Sequence, residues 1–288
     1  MITVNTTDVI LMMDGNQIND KYSLMGDSMK RVITGGVSYQ NGSYKFDYTY
    51  NYPTDILHLF HRKVYQTAFK GSVYYFGYEF NKDTSSKERT KFIHYIKGLG
   101  DTKPSKHELT QFIENPLVAL NSKFNLDNID CFVYPISERS NLVQTIVDTI
   151  NGYASRDAHK ASYTLVKSAP TDIEFDWEAF DADFEQDSNQ YKQIKKYIEE
   201  TMLPAIKNLD YFSIAKNVKP KYRKYIKNIL NMSEEDILKF SRLKGSKILI
   251  VDDINTSGST LNEILRVLRK INNECEIFIF TLIGNFEK

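Results

Sequence analysis

The sequence predicts an α/β fold: an open parallel sheet flanked by helices, with an α+β N-terminal region and a helical insertion. Three observations predict it. From about residue 128, short apolar runs alternate with polar loops and amphipathic stretches, which argues for crossover connections and a parallel sheet. Before that point, hairpin and helix signals are interleaved. Between two of the apolar runs lies a charged stretch, about 171–243, that follows neither pattern. The expected organisation is an N-terminal or hood region over 1–125 and a core over 126–288, interrupted by the insertion.

The elements follow in order. In QNGSYKFDYTYNY, Asn41-Gly42 is a hairpin turn signal, followed by alternating Tyr44, Phe46, Tyr48 and Tyr50. Pro53-Thr54-Asp55 is expected to start a helix running to about Lys70, with Thr54 as its N-cap and Gly71 as its breaker. SVYYFGYEF is a strand, and SSKERTKFIHYIKGLG a helix ended by Gly98 or Gly100. The stretch TKPSKHELTQFIENPLVALNSKF is helical and is expected to be interrupted near Pro116. IDCFVYP is a strand, ISERSN a loop, LVQTIVDTINGYA an amphipathic helix, and YTLVKSAP a second strand. KILIVDD, TSGSTLNEILRVLRKI and EIFIFTLIG then complete a strand-helix-strand unit.

Composition narrows the function classes. The 288 residues fit one large domain or one with a substantial insertion, and 41% apolar residues are enough for a buried core. Lys plus Arg and Asp plus Glu both number 37, so the net field gives no reason to expect nucleic acid or an acidic membrane as partner. The 19 tyrosines and 17 phenylalanines fit strand faces and core. Cys131 and Cys275, the only two cysteines, each lie in a strand-like run and are expected as buried thiols. His58 and His61 share a face of the expected helix, but no third metal ligand accompanies them. No run approaches the roughly 20 apolar residues of a membrane helix. The start, MITVNTTDVILMMDGNQ, lacks a basic region and carries Asp8 within its apolar stretch, so a cytoplasmic location is expected.

The chemistry concentrates in ILIVDDINTSGST. Four apolar residues, Ile248 to Val251, suit a strand buried on both faces. Asp252 and Asp253 follow where that strand emerges, and ligands of open α/β sheets bind at the carboxyl ends of strands. Asn255, Thr256, Ser257, Gly258, Ser259 and Thr260 lead into a helix. Gly258 permits a positive φ or a close approach, and successive N–H groups at a helix start cradle an anion. Carboxylates would repel a phosphate, so they suit ribose hydroxyls or a magnesium ion. A ribose 5-phosphate across this turn satisfies both halves. A nucleoside-triphosphate P-loop does not fit, because Ser259 stands where a Lys is required. A generic strand-to-helix turn with solvated acids is the competing reading.

VDDINTSGST resembles the phosphoribosyl-pyrophosphate (PRPP) signature of type I phosphoribosyltransferases, two acids followed by a small, hydroxylated, glycine-containing loop. The resemblance covers about thirteen residues. It implies that Asp252 and Asp253 are catalytic residues contacting the ribose hydroxyls, with indirect contact to Mg2+ as cofactor. It implies that Asn255 to Thr260 hold the 5-phosphate. The loop after the first core strand would bind pyrophosphate through Ser137, Glu138, Arg139 and Ser140, joined by Lys167 at the second strand end. An incidental surface position is the competing reading for Arg139 and Lys167. A wider similarity, in YYFGYEFNKDTSSKERTKFIHYIKGLGD and VYPISERSN, is to the layout of ComF-type proteins. The four-cysteine finger of that branch is absent, and its Arg-Gly-Phe-Asn-Gln run is reduced to Arg139, Ser140, Asn141 and Gln144.

The resemblance implies Mg2+-dependent displacement of pyrophosphate from PRPP by a nitrogenous base, a small-molecule acceptor. Its 6-oxopurine enzymes carry an acid where this chain has Thr256, which argues against that substrate class. The alternative function is a non-catalytic PRPP or nucleotide sensor, or a nucleic-acid-associated protein, on the same fold. The acidic part of the insertion, Asp172 to Asp187, reads as a solvated linker in preference to an active-site lid. The basic stretch 216–228 interleaves Tyr222 and Tyr225 with cations. It reads as a solvated amphipathic helix pairing with the acidic part, in preference to a weak nucleic-acid contact. No membrane partner is expected, and a homodimer is kept as an option.

Overall fold

The computed structural model describes residues 35–48, 55–59, 64–153, 160–186, 188–256 and 258–284. The expectations placed on Tyr50, Thr54, His61, Asp187 and Ser257, and on the start of the chain, lie outside these residues. Among the described residues, no helix is long and apolar enough to cross a membrane.

Among the described residues, the N-terminal region supplies five strands and two long helices. β1 (Gly35–Gln40) and β2 (Ser43–Asp47) form the expected hairpin, with Asn41 and Gly42 both at positive φ in its turn. β3 (Leu57–Leu59) and β4 (Tyr65–Phe69) occupy the segment expected to be helical, which is a correction. Leu57 and Leu59 are buried on either side of half-buried His58, a period of two that pairs β3 with β1. β4 turns through Lys70 and Gly71, again at positive φ, into β5 (Ser72–Phe80). Sheet partners decide here between two periods that short apolar runs leave ambiguous. α1 (Ser86–Ile96) opens with a Ser85–Glu88 capping box. α2 (Lys106–Lys123) runs unbroken through Pro116, a second correction.

The β-loop-α texture is found as read. β6 (Cys131–Pro135) leads to α3 (Leu142–Tyr153) and β7 (Ala161–Lys167). The insertion holds β8 (Glu174–Phe175), α4 (Trp177–Asp183), α5 (Asn189–Tyr197), α6 (Leu203–Lys207), α7 (Ile214–Asn217), β9 (Ile226–Lys227), β10 (Leu230–Met232) and α8 (Glu234–Phe240). β11 (Lys247–Ile254), α9 (Ser259–Ile271) and β12 (Glu276–Gly284) complete the chain's described part.

One ten-stranded sheet runs through the molecule in the order β10-β7-β6-β11-β12-β5-β3-β1-β2, with β4 also on β5. The expected parallel set, β7, β6, β11 and β12, is its centre, and β5 of the N-terminal region, which was not expected there, joins it in parallel beside β12. Antiparallel strands extend both sides, so the N-terminal strands continue the sheet beyond β12.

Alternation along β11 divides the core between the two faces. Ile248 and Ile250 join α9 and the insertion in one cluster, while Leu249 and Val251 join α1, α2 and α3 in the other. The acidic stretch is thus no solvated linker. Phe175 and Phe180 are buried beside Tyr191 and Tyr225. Tyr222 and Tyr225, expected on a solvated helix, are 3% and 2% exposed, and their segment is a 3-10 turn followed by β9. Buried rings have no face to offer a nucleic-acid base. The expected charge pairing is present: Lys224 meets Asp183, and Lys227 Nζ lies 2.6 Å from Asp176.

Candidate functional site

The chain leaves β6 toward β7 on one side and leaves β11 toward β12 on the other. β6 and β11 are parallel neighbours, so the crevice at their carboxyl ends is the topological switch point where such sheets bind ligands. Its walls are the 136–141 loop and the acid-pair loop.

β11 runs through both acids rather than ending before them. Asp252 and Asp253 are 5% and 6% exposed. The Asp253 N–H donates to Asp252 Oδ1 at 2.9 Å. Burial, and then the adjacent Asp253 carboxylate, push the Asp252 carboxyl up to about 8. Lys97, just past the end of α1, puts its Nζ 2.7 Å from Asp253 Oδ2. The Lys-x-x-Gly turn at the end of this helix belongs to the ComF-type layout, but sequence reasoning gave its lysine no role in the site. A signal existed: Asp253 shares the parity of Leu249 and Val251, which face α1–α3, and Lys97 ends one of those helices.

The loop that follows is held from within. Asn255, expected among the phosphate donors, is buried, and its Oδ1 accepts the Gly258 N–H at 2.9 Å. Gly258 is left-handed (φ 71°) and stands directly before α9. A Cβ there would lie 2.9 Å from Phe69 Cζ, so β4 packs against this turn. Thr256 is exposed, and Ser259 and Thr260 are half-buried. An exposed Thr256 and the first turn of α9 are the parts of the loop open to a ligand.

Across the crevice, Ser137 Oγ accepts the Arg139 N–H at 3.4 Å and Ser140 Oγ accepts the Leu142 N–H at 3.3 Å. Both hydroxyls therefore shape their own loop. Glu138 and Arg139 are exposed. The Arg139 guanidinium stacks over Tyr211, with Cζ 4.8 Å from the ring centroid. Lys167 Nζ lies 4.2 Å from the same centroid and donates to the Tyr211 hydroxyl. Tyr211, from the insertion, thus gathers the two cations that the sequence placed on separate loops. Composition and periodicity carry no signal for it. Ser168, next to Lys167, is buried, and among the described residues its hydroxyl has no hydrogen-bond partner.

Among the described residues, no group of three or more His, Cys, Asp or Glu could cage a metal ion. Cys131 and Cys275 are free thiols. Burial pushes the Cys131 thiol up to about 12, which excludes it as a nucleophile at neutral pH.

The site is thus a buried acid pair at the switch point of a parallel sheet, on a strand whose chain continues through a left-handed glycine into a helix. Residues 204–288 match the family model of the phosphoribosyl transferase domain. The matched segment holds Tyr211, the acid pair, Gly258 and α9; β6, β7 and the 136–141 loop precede it. Among solved structures, the chain is similar to a hypoxanthine phosphoribosyltransferase from Staphylococcus aureus: 12% identity, TM-score 0.31, over 61% of this chain and 64% of that one. It is also similar to an adenine phosphoribosyltransferase: 12% identity, TM-score 0.31, over 77% and 86% of the two chains. The chain thus spans just under two thirds of the first of these structures. No curated protein matches the sequence.

Proposed function

We propose that the protein binds PRPP at the turn between β11 and α9 and transfers its phosphoribosyl group to a nitrogenous base, releasing pyrophosphate. One observation carries this reading: Asp252 and Asp253 are buried at a strand end whose chain continues through left-handed Gly258 into α9, within the segment matched to the phosphoribosyl transferase domain. The acids would accept hydrogen bonds from the ribose hydroxyls. The first turn of α9, with Thr256, Ser259 and Thr260, would hold the 5-phosphate. Arg139 and Lys167, gathered on Tyr211, would meet the pyrophosphate.

In the reaction the base nitrogen forms a bond to the anomeric carbon as the bond to the pyrophosphate oxygen breaks. The electron pair leaves with pyrophosphate and the nitrogen loses its proton. Charge on the sugar would develop beside the acid pair, where the Asp253 carboxylate can stabilise it. The residues present fit a magnesium ion that arrives with its substrate. Asp252 and Asp253 are hard oxygen donors, but Lys97 already takes Asp253 Oδ2 and a backbone N–H takes Asp252 Oδ1. Such an ion would keep its waters and draw most ligands from the substrate, screening the pyrophosphate as it leaves. Thr256 at the loop argues against a 6-oxopurine acceptor. Residues 1–125 would supply the base-facing side, and the cytoplasm is the compartment expected for this chemistry.

The test is incubation of PRPP and Mg2+ with a panel of bases, reading pyrophosphate release. Release with one base, lost in Asp252→Asn plus Asp253→Asn, is the expected result. Binding of PRPP by calorimetry without release for any base would make the protein a sensor. No binding would overturn the site assignment. EDTA should abolish transfer yet leave the melting temperature of the ligand-free protein unchanged.

A further inference from the structure

The acid pair receives a contact from outside its own strand-loop-helix unit. Lys97 lies more than a hundred residues earlier in the chain and outside the segment matched to the phosphoribosyl transferase domain. Its backbone is fixed as the C-cap of α1, where its N–H donates to Ile93 O and the following Gly98 N–H donates to Tyr95 O. Phe92 and Ile96 bury that helix against the sheet. The opposite end is held by the Ser85–Glu88 box and by Arg89, whose guanidinium donates to the carbonyls of Thr84 and Asn81. The stem of Lys97 therefore starts from a rigid point, and its ammonium reaches Asp253 Oδ2 at 2.7 Å.

The pair is asymmetric in its exposure. The Lys97 side chain is 23% exposed, whereas the Asp253 side chain is 8% exposed. The carboxylate is closed off while the ammonium retains an open side. An ammonium has three N–H donors, and the contact with Oδ2 uses one of them. Among the described residues Asp253 Oδ1 accepts no hydrogen bond, which leaves it for a ligand hydroxyl. The buried Asp253 carboxylate would otherwise repel a multiply charged sugar phosphate, and a fixed cation 2.7 Å from it offsets that charge.

We propose that Lys97 is a positioning residue of the ribose site, orienting Asp253 for the sugar diol and offsetting the charge of the acid pair so that an anionic sugar phosphate can approach. This rests on the PRPP reading above. It makes ligand binding depend on α1, an element of the N-terminal region. The opposing reading is a latch, in which Lys97 occupies Asp253 and must be displaced. The two readings predict opposite signs for removal of the charge.

The experiment is calorimetry of the full chain with PRPP and Mg2+, for wild type, Lys97→Met, Lys97→Gln, Lys97→Arg, Asp253→Asn and the Lys97→Met, Asp253→Asn double variant. Lys97→Met and Lys97→Gln are expected to weaken binding by about tenfold to a hundredfold, as loss of a partly buried ionic partner requires. Lys97→Arg should restore binding to within a few-fold. The double variant should bind no more weakly than Asp253→Asn alone, because Lys97 acts through that carboxylate. Thermal melts identify any variant that fails to fold, and the Met and Gln variants stand in for each other. Wild-type binding that both uncharged variants leave unchanged overturns the role of Lys97 alone. Tighter binding by them establishes the latch and overturns it too. Absence of PRPP binding by the wild type overturns the PRPP reading, and this inference with it.

Discussion

Asp252 sits where β11 is buried on both faces, and its carboxyl is raised well above the ordinary carboxylate range by burial and by Asp253. The sign for stability follows. The folded protein holds a proton that the unfolded chain, titrating near 3.9, releases first. Stability should therefore be fullest below about pH 4 for this group and fall as pH rises toward about 8, by at most ~1.4 kcal/mol per pH unit. Urea titrations of the ligand-free protein at several pH values should show that fall, and Asp252→Asn should flatten it. A second residue-scale expectation concerns Gly258. Alanine there would hold a left-handed φ of 71° and press a methyl 2.9 Å from Phe69 Cζ. Gly258→Ala should cost about 1–3 kcal/mol and weaken PRPP binding. Adding Phe69→Leu should recover part of the stability; no recovery would show that the backbone strain, not the ring contact, dominates.

α2 shows how an element survives a residue that should break it. Pro116 has no N–H to offer the Phe112 carbonyl four residues earlier. The Tyr78 hydroxyl from β5 donates to that carbonyl at 2.9 Å, and Gly77 leaves room for the proline ring, since a Cβ there would lie 2.5 Å from Pro116 Cβ. The interruption expected from Pro116 is absent because a neighbouring strand supplies the missing donor. Tyr78→Phe removes it and leaves a buried carbonyl unsatisfied, which should cost about 1–3 kcal/mol in chemical denaturation. A cost near zero would mean that the carbonyl finds another donor. The segment 57–69 taught the same lesson at this scale. Its apolar spacing served a helix as well as two strands, and pairing with β1 and β5 chose the strands.

The insertion is fastened to α9 by an ionic network around buried Glu263. Glu263 of α9 is 3% exposed and accepts the Ile229 N–H at 2.9 Å. Arg266 holds both its carboxylate oxygens, at 2.7 and 2.8 Å, and donates to Asn228 Oδ1 at 2.9 Å. Asn228 and Ile229 join β9 to β10, the strand by which the insertion enters the main sheet. α9, whose start would hold the 5-phosphate, is thus braced by the insertion at its middle. Arg266→Met would leave a buried carboxylate without its cation, and a loss of about 3–5 kcal/mol is expected in urea denaturation. Glu263→Leu with Arg266→Met removes both charges and should recover much of that loss; equal losses would show that packing, not charge, sets the cost.

The order of apolar runs, loops and amphipathic stretches determined the parallel centre of the sheet by itself, because those features are local and repeat with the period of the backbone. The acid-pair loop was legible for the same reason: carboxylates, glycine and helix start are contiguous, and short-range geometry alone puts them together. What only tertiary structure decided were relations between distant residues. Lys97 reaches Asp253 because β11 turns alternate side chains to opposite faces and α1 lies on one of them. Arg139 and Lys167 meet on Tyr211 because β6 and β7 end at the same edge of the sheet. Asn255 turned inward, from expected phosphate ligand to brace of the Gly258 N–H, because a buried backbone donor needs an acceptor. The acidic stretch read as a linker because its charges are regular, yet Phe175 and Phe180 between them had aromatic partners some fifty residues away. Pattern along the chain fixes which face a residue presents; only the folded sheet supplies what that face meets.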